Sequence, residues 1–356
     1  ERFLTSTVGI SNIKMAIIDD GPDDGTGQVV KRIITKEHCE QKVQLLSRSL
    51  PNAQQGKGSA LNWAYHRVIN TQTMNYQQLN RTIIGVLDAD AYMERQGYES
   101  VLADSAAQPS VDLLQTRVAM ITTHNWLQLF QDIEFGVINH WIQNTRNRIN
   151  NAAASGNGQF VRAIAINSYN PWGNALLEDF EFSTRFLLRG RQTLYAGGIV
   201  VYQQAIDHLK PFIRQRARWT QGGLDCLFTY WPRIIRSSRI HFLAKVEMTF
   251  YMFIPFITLV SGVAGLYVFI YVAIHITIYL AVFISLILLN CIINTIIISA
   301  YQKAARTKWF ISLAAILFLG IYNYLLYPAI IIAFYKKIRG QHGWAKTVHG
   351  QSNNAV

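Results

Sequence analysis

Thr82–Tyr92 reads TIIGVLDADAY, an apolar run that ends abruptly in two aspartates one residue apart. A short apolar run closed by acidic residues marks a buried strand with ligand chemistry at its carboxyl end. Ile13–Ile18 (IKMAII) has the same form and runs into Asp19-Asp20-Gly21. Between the two, Leu61, Ala64, Tyr65 and Val68 give Ser59–Asn70 the spacing of a helix. Val111–Val118 and Thr193–Tyr202 read as further strands, Val137–Arg148 and Leu176–Leu188 as further helices, and Asn150–Gln159 as a polar, glycine-rich loop. Buried strands alternating with helices predict an α/β domain with a mainly parallel sheet.

Working outward, the composition changes after residue 247. Met248–Gln302 contains 55 residues without Asp, Glu, Lys or Arg, and Trp309–Tyr335 a further 27. About 20 apolar residues cross a bilayer as a helix, so the first run predicts two spans and the second one. Pro255 or Gly262 can mark an interfacial piece of the first run in place of a clean span. The net charge of +12 is concentrated beside these runs, at Arg233, Arg236, Arg239 and Lys245, at Lys303, Arg306 and Lys308, and at Lys336, Lys337 and Arg339. Juxtamembrane cations favour the cytoplasmic side and anionic lipid, so membrane lipid rather than nucleic acid is the expected partner of this charge. Three spans leave the side of the tail open. The opening residues lack a signal-peptide pattern. Cys39, Cys226 and Cys291 are far apart and suggest neither a disulfide framework nor a metal cluster.

Four clusters carry chemistry. Asp88 and Asp90 can offer oxygens to one Mg²⁺ or Mn²⁺, cations that favour carboxylates together with substrate phosphates. Asp19-Asp20-Gly21-Pro22-Asp23-Asp24 places four carboxylates in six residues, tolerable where they meet donors or a cation; an acidic surface turn is the plain alternative. Glu178 and Asp179 stand at a helix start, where the dipole favours them as caps and where a general base could equally sit. Gln215-Arg216-Ala217-Arg218-Trp219 combines guanidinium forks for phosphate with an indole face for a sugar ring, within the amphipathic stretch Leu209–Arg239 that suits a membrane interface. Gly56-Lys57-Gly58-Ser59 lacks the upstream glycine of a Walker A loop, Pro51 standing there, which excludes a nucleoside triphosphatase of that type.

Taken in order, DDGPDDGT (19–26), GKGSALN (56–62), LDADAY (87–92), GNGQF (156–160), LLEDFEFSTRFLLRG (176–190) and RQRARWTQG (214–222) resemble the membrane-bound family-2 glycosyltransferases, the cellulose, chitin, hyaluronan and poly-N-acetylglucosamine synthase group. The tail Trp344-Ala345-Lys346-Thr347 is similar to the end of some members. The resemblance implies a GT-A (Rossmann-like) nucleotide-sugar domain. Within it Asp19 and Asp20 hold the nucleoside near Lys57, Asp88 and Asp90 bind a metal and the donor diphosphate, and Asp179, with Glu178 beside it, serves as base. Gln215, Arg216, Arg218 and Trp219 contact acceptor and diphosphate. The resemblance further implies inversion at the donor's anomeric carbon. Two departures stand out: the family's opening strand with its IPAYNE-like turn is missing, so an amino-terminally short chain is expected, and Leu177 replaces the usual Thr.

These readings divide the chain into a GT-A domain (1–207), interface helices (208–245), membrane helices (246–335) and a basic tail (336–356). The expected protein is a multi-pass plasma-membrane enzyme with its catalytic domain in the cytoplasm. It would build a β-linked polysaccharide from a donor of the UDP-glucose or UDP-N-acetylglucosamine type, with a growing glycan as acceptor. A non-processive enzyme acting on a lipid acceptor, or an inactive homologue, are the alternatives.

Overall fold

The structure is a computed structural model that describes residues 2–21, 25–69, 73–121, 123–167, 170–305 and 309–340. Pro22, Asp23 and Asp24 of the acidic cluster, Asn70, Arg306, Lys308 and the Trp344–Thr347 tail motif lie outside the described residues. Along the chain the elements are α1 (Arg2–Ser6), β1 (Met15–Asp20), α2 (Thr26–Lys36), β2 (Val43–Arg48), α3 (Lys57–Val68), α4 (Tyr76–Arg81), β3 (Ile83–Val86), β4 (Tyr92–Met93), α5 (Arg95–Ala107) and β5 (Leu113–Met120). There follow α6 (Trp126–Ile133), a π-helical turn (Glu134–Asn139), α7 (His140–Arg148), β6 (Gln159–Arg162), α8 (Ala163–Ile166), α9 (Glu178–Leu188) and β7 (Thr193–Gln203). The remainder is helical: α10 (Leu209–Arg236), α11 (Phe242–Ile274), α12 (Ile276–Ala305), α13 (Trp309–Tyr324) and α14 (Leu326–Ile338).

The chain divides into two compact units. The first comprises Glu1–Thr116 with Asn151–Val201, the second Arg117–Asn150 with Tyr202–Val356. Arg117–Asn150 thus groups with the carboxyl-terminal helices rather than with the rest of residues 1–207.

Among the described residues of the first unit, β1 and β2 form a two-stranded sheet, in parallel, with Asp20 opposite Arg48. The other strands form a five-stranded sheet in the order β3-β6-β5-β7-β4. Here the expectation of a mainly parallel sheet fails, because β6 runs antiparallel to both β3 and β5. All four residues of β6 are buried, and a fully apolar or buried run carries no alternation from which direction could be read. Phe182 and Phe186, four apart on α9 and both fully buried, fasten that helix into a core with Trp172, Leu113, Val161 and Ile166. Trp172 stacks on Phe182 at 5.6 Å and 12°.

Close backbone approach fixes α3 beside the segment ahead of α9. A Cβ on Gly58 would lie 1.8 Å from the Gly173 carbonyl oxygen, and the Asn62 amide exchanges hydrogen bonds with the Trp172 backbone at 2.6 and 3.2 Å. Gly173 in turn lies against the Glu181 carboxylate, which accepts from the Ala175 N–H at 2.9 Å.

In the second unit three helices are long and apolar enough to cross a membrane: Phe242–Ile274, Thr277–Lys303 and Leu313–Ile338, with mean hydropathies of 2.2, 2.5 and 1.9. The expected number is therefore met. Pro255 does not break α11, which continues through it for 33 residues, roughly 50 Å at 1.5 Å per residue. That exceeds the ~30 Å hydrocarbon thickness, so Lys245 and Glu247 in its first turns need not enter the apolar layer. A break falls in the third span, at Leu325 between α13 and α14. Pro328 lies in the first turn of α14, where its missing N–H costs no helical bond.

Gly58→Ala is expected to lower stability by about 1–3 kcal/mol, since the added methyl meets backbone rather than a pliable side chain. Thermal unfolding of the detergent-solubilised chain, compared with Gly223→Ala, where a Cβ would meet nothing within 4 Å, checks this.

Candidate active site

The site in the first unit is built around one ammonium group. Lys57 opens α3, and its Nζ lies 2.6 Å from Asp88 Oδ1, 2.8 Å from the Gly156 carbonyl oxygen and 3.6 Å from Glu178 Oε1. Three segments distant in sequence therefore meet at one cation: the end of β3, the glycine-rich loop and the start of α9. Burial draws the Lys57 pKa down, but Asp88, Glu178 and Asp179 outweigh it and raise it above the ordinary value.

Asp179 responds oppositely. Loss of water around its carboxyl and the neighbouring Glu178 charge push it up to about 7, against the lowering effects of the Phe180 N–H and Lys57. Its Oδ1 accepts from that N–H at 2.7 Å. Gly156 allows the approach: with φ +73, a Cβ there would stand 3.2 Å from Asp179 Oδ2. Below, Ser183 Oγ donates to the Asp179 carbonyl at 3.0 Å and accepts from Ala154 N–H at 2.6 Å, pinning helix to loop.

The loop is held by buried amides. Gln115 donates to the Thr116 and Asn157 carbonyls at 2.8 and 2.9 Å and accepts from Ser155 N–H at 2.9 Å. Asn157 Oδ1 accepts from the Asp88 N–H at 3.3 Å. Buried amides that fill this many bonds fix the loop because leaving any one unmade is costly.

Asp20 lies elsewhere in the unit: Arg48 donates to its Oδ1 at 2.8 Å and the Gln54 N–H to its Oδ2 at 3.2 Å. Arg48 also reaches Ser59 Oγ at 3.0 Å, linking Asp20 to α3. Asp19 is buried, and a Cβ on Gly27 would come within 2.4 Å of its Oδ2, so its carboxylate faces the first turn of α2. Asp90 is half-buried just ahead of β4.

As to a metal, Asp88 and Asp90 offer oxygens only, which suits Mg²⁺ or Mn²⁺ and not a thiolate or imidazole metal. Among the described residues no group of three or more His, Cys, Asp or Glu is placed to hold an ion. Two carboxylates completed by phosphate oxygens and water form a sufficient set for either cation.

Gln215, Arg216, Arg218 and Trp219 all lie on α10 in the second unit. Arg216 is buried, and both its terminal nitrogens pair with Glu134 at 2.8 Å. Its guanidinium is thus committed to a carboxylate that no sequence motif marked. Gln115 supports the loop with no sequence signal, whereas Asn157 in GNGQF and Ser183 in LLEDFEFSTRFLLRG lie inside motifs that do not themselves mark these supporting roles.

The sequence model of the glycosyl transferase family group 2 matches residues 83–284, more than half of the chain. The protein belongs to that family. The β-monoglucosyldiacylglycerol synthase of Trichormus variabilis is 27% identical over 224 residues, which are 62% of this chain and 44% of that protein. A probable glycosyltransferase of Bacillus subtilis, YdaM, is 24% identical over 257 residues, covering 70% and 56%. The chain thus spans about half the length of these curated relatives. The solved mannosyltransferase PcManGT from Pyrobaculum calidifontis, in complex with GDP-Man and Mn²⁺, superposes with a TM-score of 0.52 at 15% identity, over 92% of this chain and 79% of that one. The fold is accordingly GT-A-like with a mixed sheet, followed by three long apolar helices.

Asp179 yields a stability prediction. Its folded pKa stands above the ordinary 3.8, so the folded protein keeps a proton that the unfolded chain has released. The associated stability is complete below that window and is lost as pH rises through about 7. Asp179→Asn should therefore melt higher than the parent at about pH 8 and not at about pH 4, as read by paired thermal scans.

Proposed function

We propose that the protein is an inverting, metal-dependent glycosyltransferase that uses a nucleotide-sugar donor and acts on an acceptor at a membrane. The observation that carries this reading is the convergence of Lys57, Asp88, Glu178 and Asp179, with Asp179 raised to about 7 in a family of glycosyl transferases. A carboxylate with that pKa is partly ionised at neutral pH and is basic enough to accept a proton from a sugar or glycerol hydroxyl as its oxygen attacks. Attack on the anomeric carbon from the face opposite the departing nucleoside diphosphate turns an α-linked donor into a β-linked product. Asp19 and Asp20 take the nucleoside side of the donor, and Lys57 lies where it can compensate diphosphate charge. A Mg²⁺ or Mn²⁺ ion held by Asp88 and Asp90 would offset the charge on the leaving diphosphate. Gln215, Arg218 and Trp219 line the acceptor path.

For the acceptor we propose a membrane lipid of the diacylglycerol type. The three apolar helices and the resemblance to a β-monoglucosyldiacylglycerol synthase support it. A second reading, synthesis of a β-linked polysaccharide, is favoured by the Gln215-Arg216-Ala217-Arg218-Trp219 motif directly ahead of those helices. In either case the basic clusters flanking the helices support a catalytic unit on the cytoplasmic side of the plasma membrane.

Membranes carrying the protein, given UDP-glucose, UDP-N-acetylglucosamine or GDP-mannose with Mn²⁺ and diacylglycerol, should yield a single-sugar glycolipid by mass; polymer alone would sink the lipid reading, and absence of any transfer would sink the enzyme. Asp179→Asn should reduce turnover by ~10²–10⁴-fold with donor affinity retained. Asp88→Ala with Asp90→Ala should abolish Mn²⁺-dependent donor binding. In the parent enzyme kcat/KM should rise with pH through a midpoint of about 7. Glu178→Gln, which removes a charge that raises Asp179, should move that midpoint down.

A further inference from the structure

Two acids of the second unit, Asp132 and Glu134, stand two residues apart where α6 gives way to the π-helical turn Glu134–Asn139. In a regular α-helix such positions lie about 200° apart around the axis and cannot serve one face. Here both capture tyrosines from apolar helices. Asp132 Oδ2 accepts from Tyr301 OH of α12 at 2.7 Å, and Glu134 Oε2 accepts from Tyr322 OH of α13. A π-helical turn admits an extra residue and rotates the rest of the helix about its axis, and such turns gather at functional sites. Asp132 is further held by the Met120 N–H at 2.8 Å.

Glu134 has a second commitment, the two-pronged pair with Arg216. The guanidinium carbon of Arg216 stands 4.5 Å from the Trp219 ring centroid and 4.9 Å from that of Phe212. Phe135, next to Glu134, meets Trp219 edge-on at 6.2 Å. The indole is therefore bracketed by a cation that Glu134 orients and by the neighbouring ring. A planar guanidinium held at both nitrogens has little freedom left to turn.

We infer that Glu134 is a positioning residue for Trp219, acting through Arg216, and that Tyr322 ties this arrangement to the third apolar helix. Arg216 on this view holds the acceptor-side indole in place and does not itself bind diphosphate. The inference rests on the proposed glycosyl-transfer reading only where it calls Trp219 an acceptor-side group; the bracketing of the indole stands apart from it.

The test uses the full chain in detergent and has two readouts. The emission lost on Trp219→Phe isolates the Trp219 signal, whose acrylamide quenching should at least double in Glu134→Gln and in Arg216→Lys, and rise less in Tyr322→Phe. With UDP-glucose and dioleoylglycerol, Glu134→Gln should raise the acceptor KM by ~10-fold or more, up to ~10²-fold, while donor KM stays within about twofold. A purely structural role would lower kcat and melting temperature together and leave both KM values and the quenching unchanged, which would overturn the inference. Should the parent chain transfer no sugar at all, the functional reading fails, and the quenching result alone still decides whether Glu134 orients Trp219.

Discussion

A single ammonium group among carboxylates is the constraint on which the first unit depends. Asp88, Glu178 and Asp179 are brought close together at the ends of a strand and a helix, and like charges at such distances repel strongly in partly dry surroundings. Lys57 resolves this by sitting within salt-bridge reach of Asp88 and Glu178. It can do so because Gly58, next along α3, lets the helix backbone approach the Gly173 carbonyl without a side chain between them. The compensation is incomplete: loss of water and the neighbouring Glu178 charge still raise Asp179 to about 7. A carboxyl raised in this way by its surroundings is suited to proton transfer near neutral pH.

The second unit solves a related problem by different means. Charged groups on its amphipathic segments pair with groups on the apolar helices: Asp132 with Tyr301, Glu134 with Tyr322, Arg146 with Glu247, and Asp225 with Lys337. Apolar helices supply little direction to one another, since lipid satisfies them equally well, whereas a charge removed from water must find its partner. These pairs therefore fix which turn of one helix meets which turn of another. Asn294 plays the corresponding part inside the apolar pair, donating to Asn290 and to the Ile316 carbonyl at 2.9 and 2.8 Å.

Membership of the glycosyl transferase family group 2 and the GT-A-like fold leave the acceptor as the open chemical question. The proposed donor groups and base reside in the first unit, and the candidate acceptor motif resides on α10 in the second.

By itself the sequence determined what period and composition encode. The three long apolar helices arise from runs without a charge, the strands β1, β3 and β7 from short apolar runs, and the placement of Asp88, Asp90, Glu178 and Asp179 at element ends from where those runs stop. Tertiary structure alone decided what depends on contacts between distant segments. That includes the antiparallel course of β6, whose buried residues show no alternation, and the pairing of Lys57 with Asp88 and Glu178 across 31 and 121 positions. It also includes the use of Arg216, which in the sequence is a phosphate-ready guanidinium on an interface helix and in the folded chain is buried against Glu134. A side chain's chemistry is local, but its partner, and with it its charge state and task, is set by what folding brings alongside.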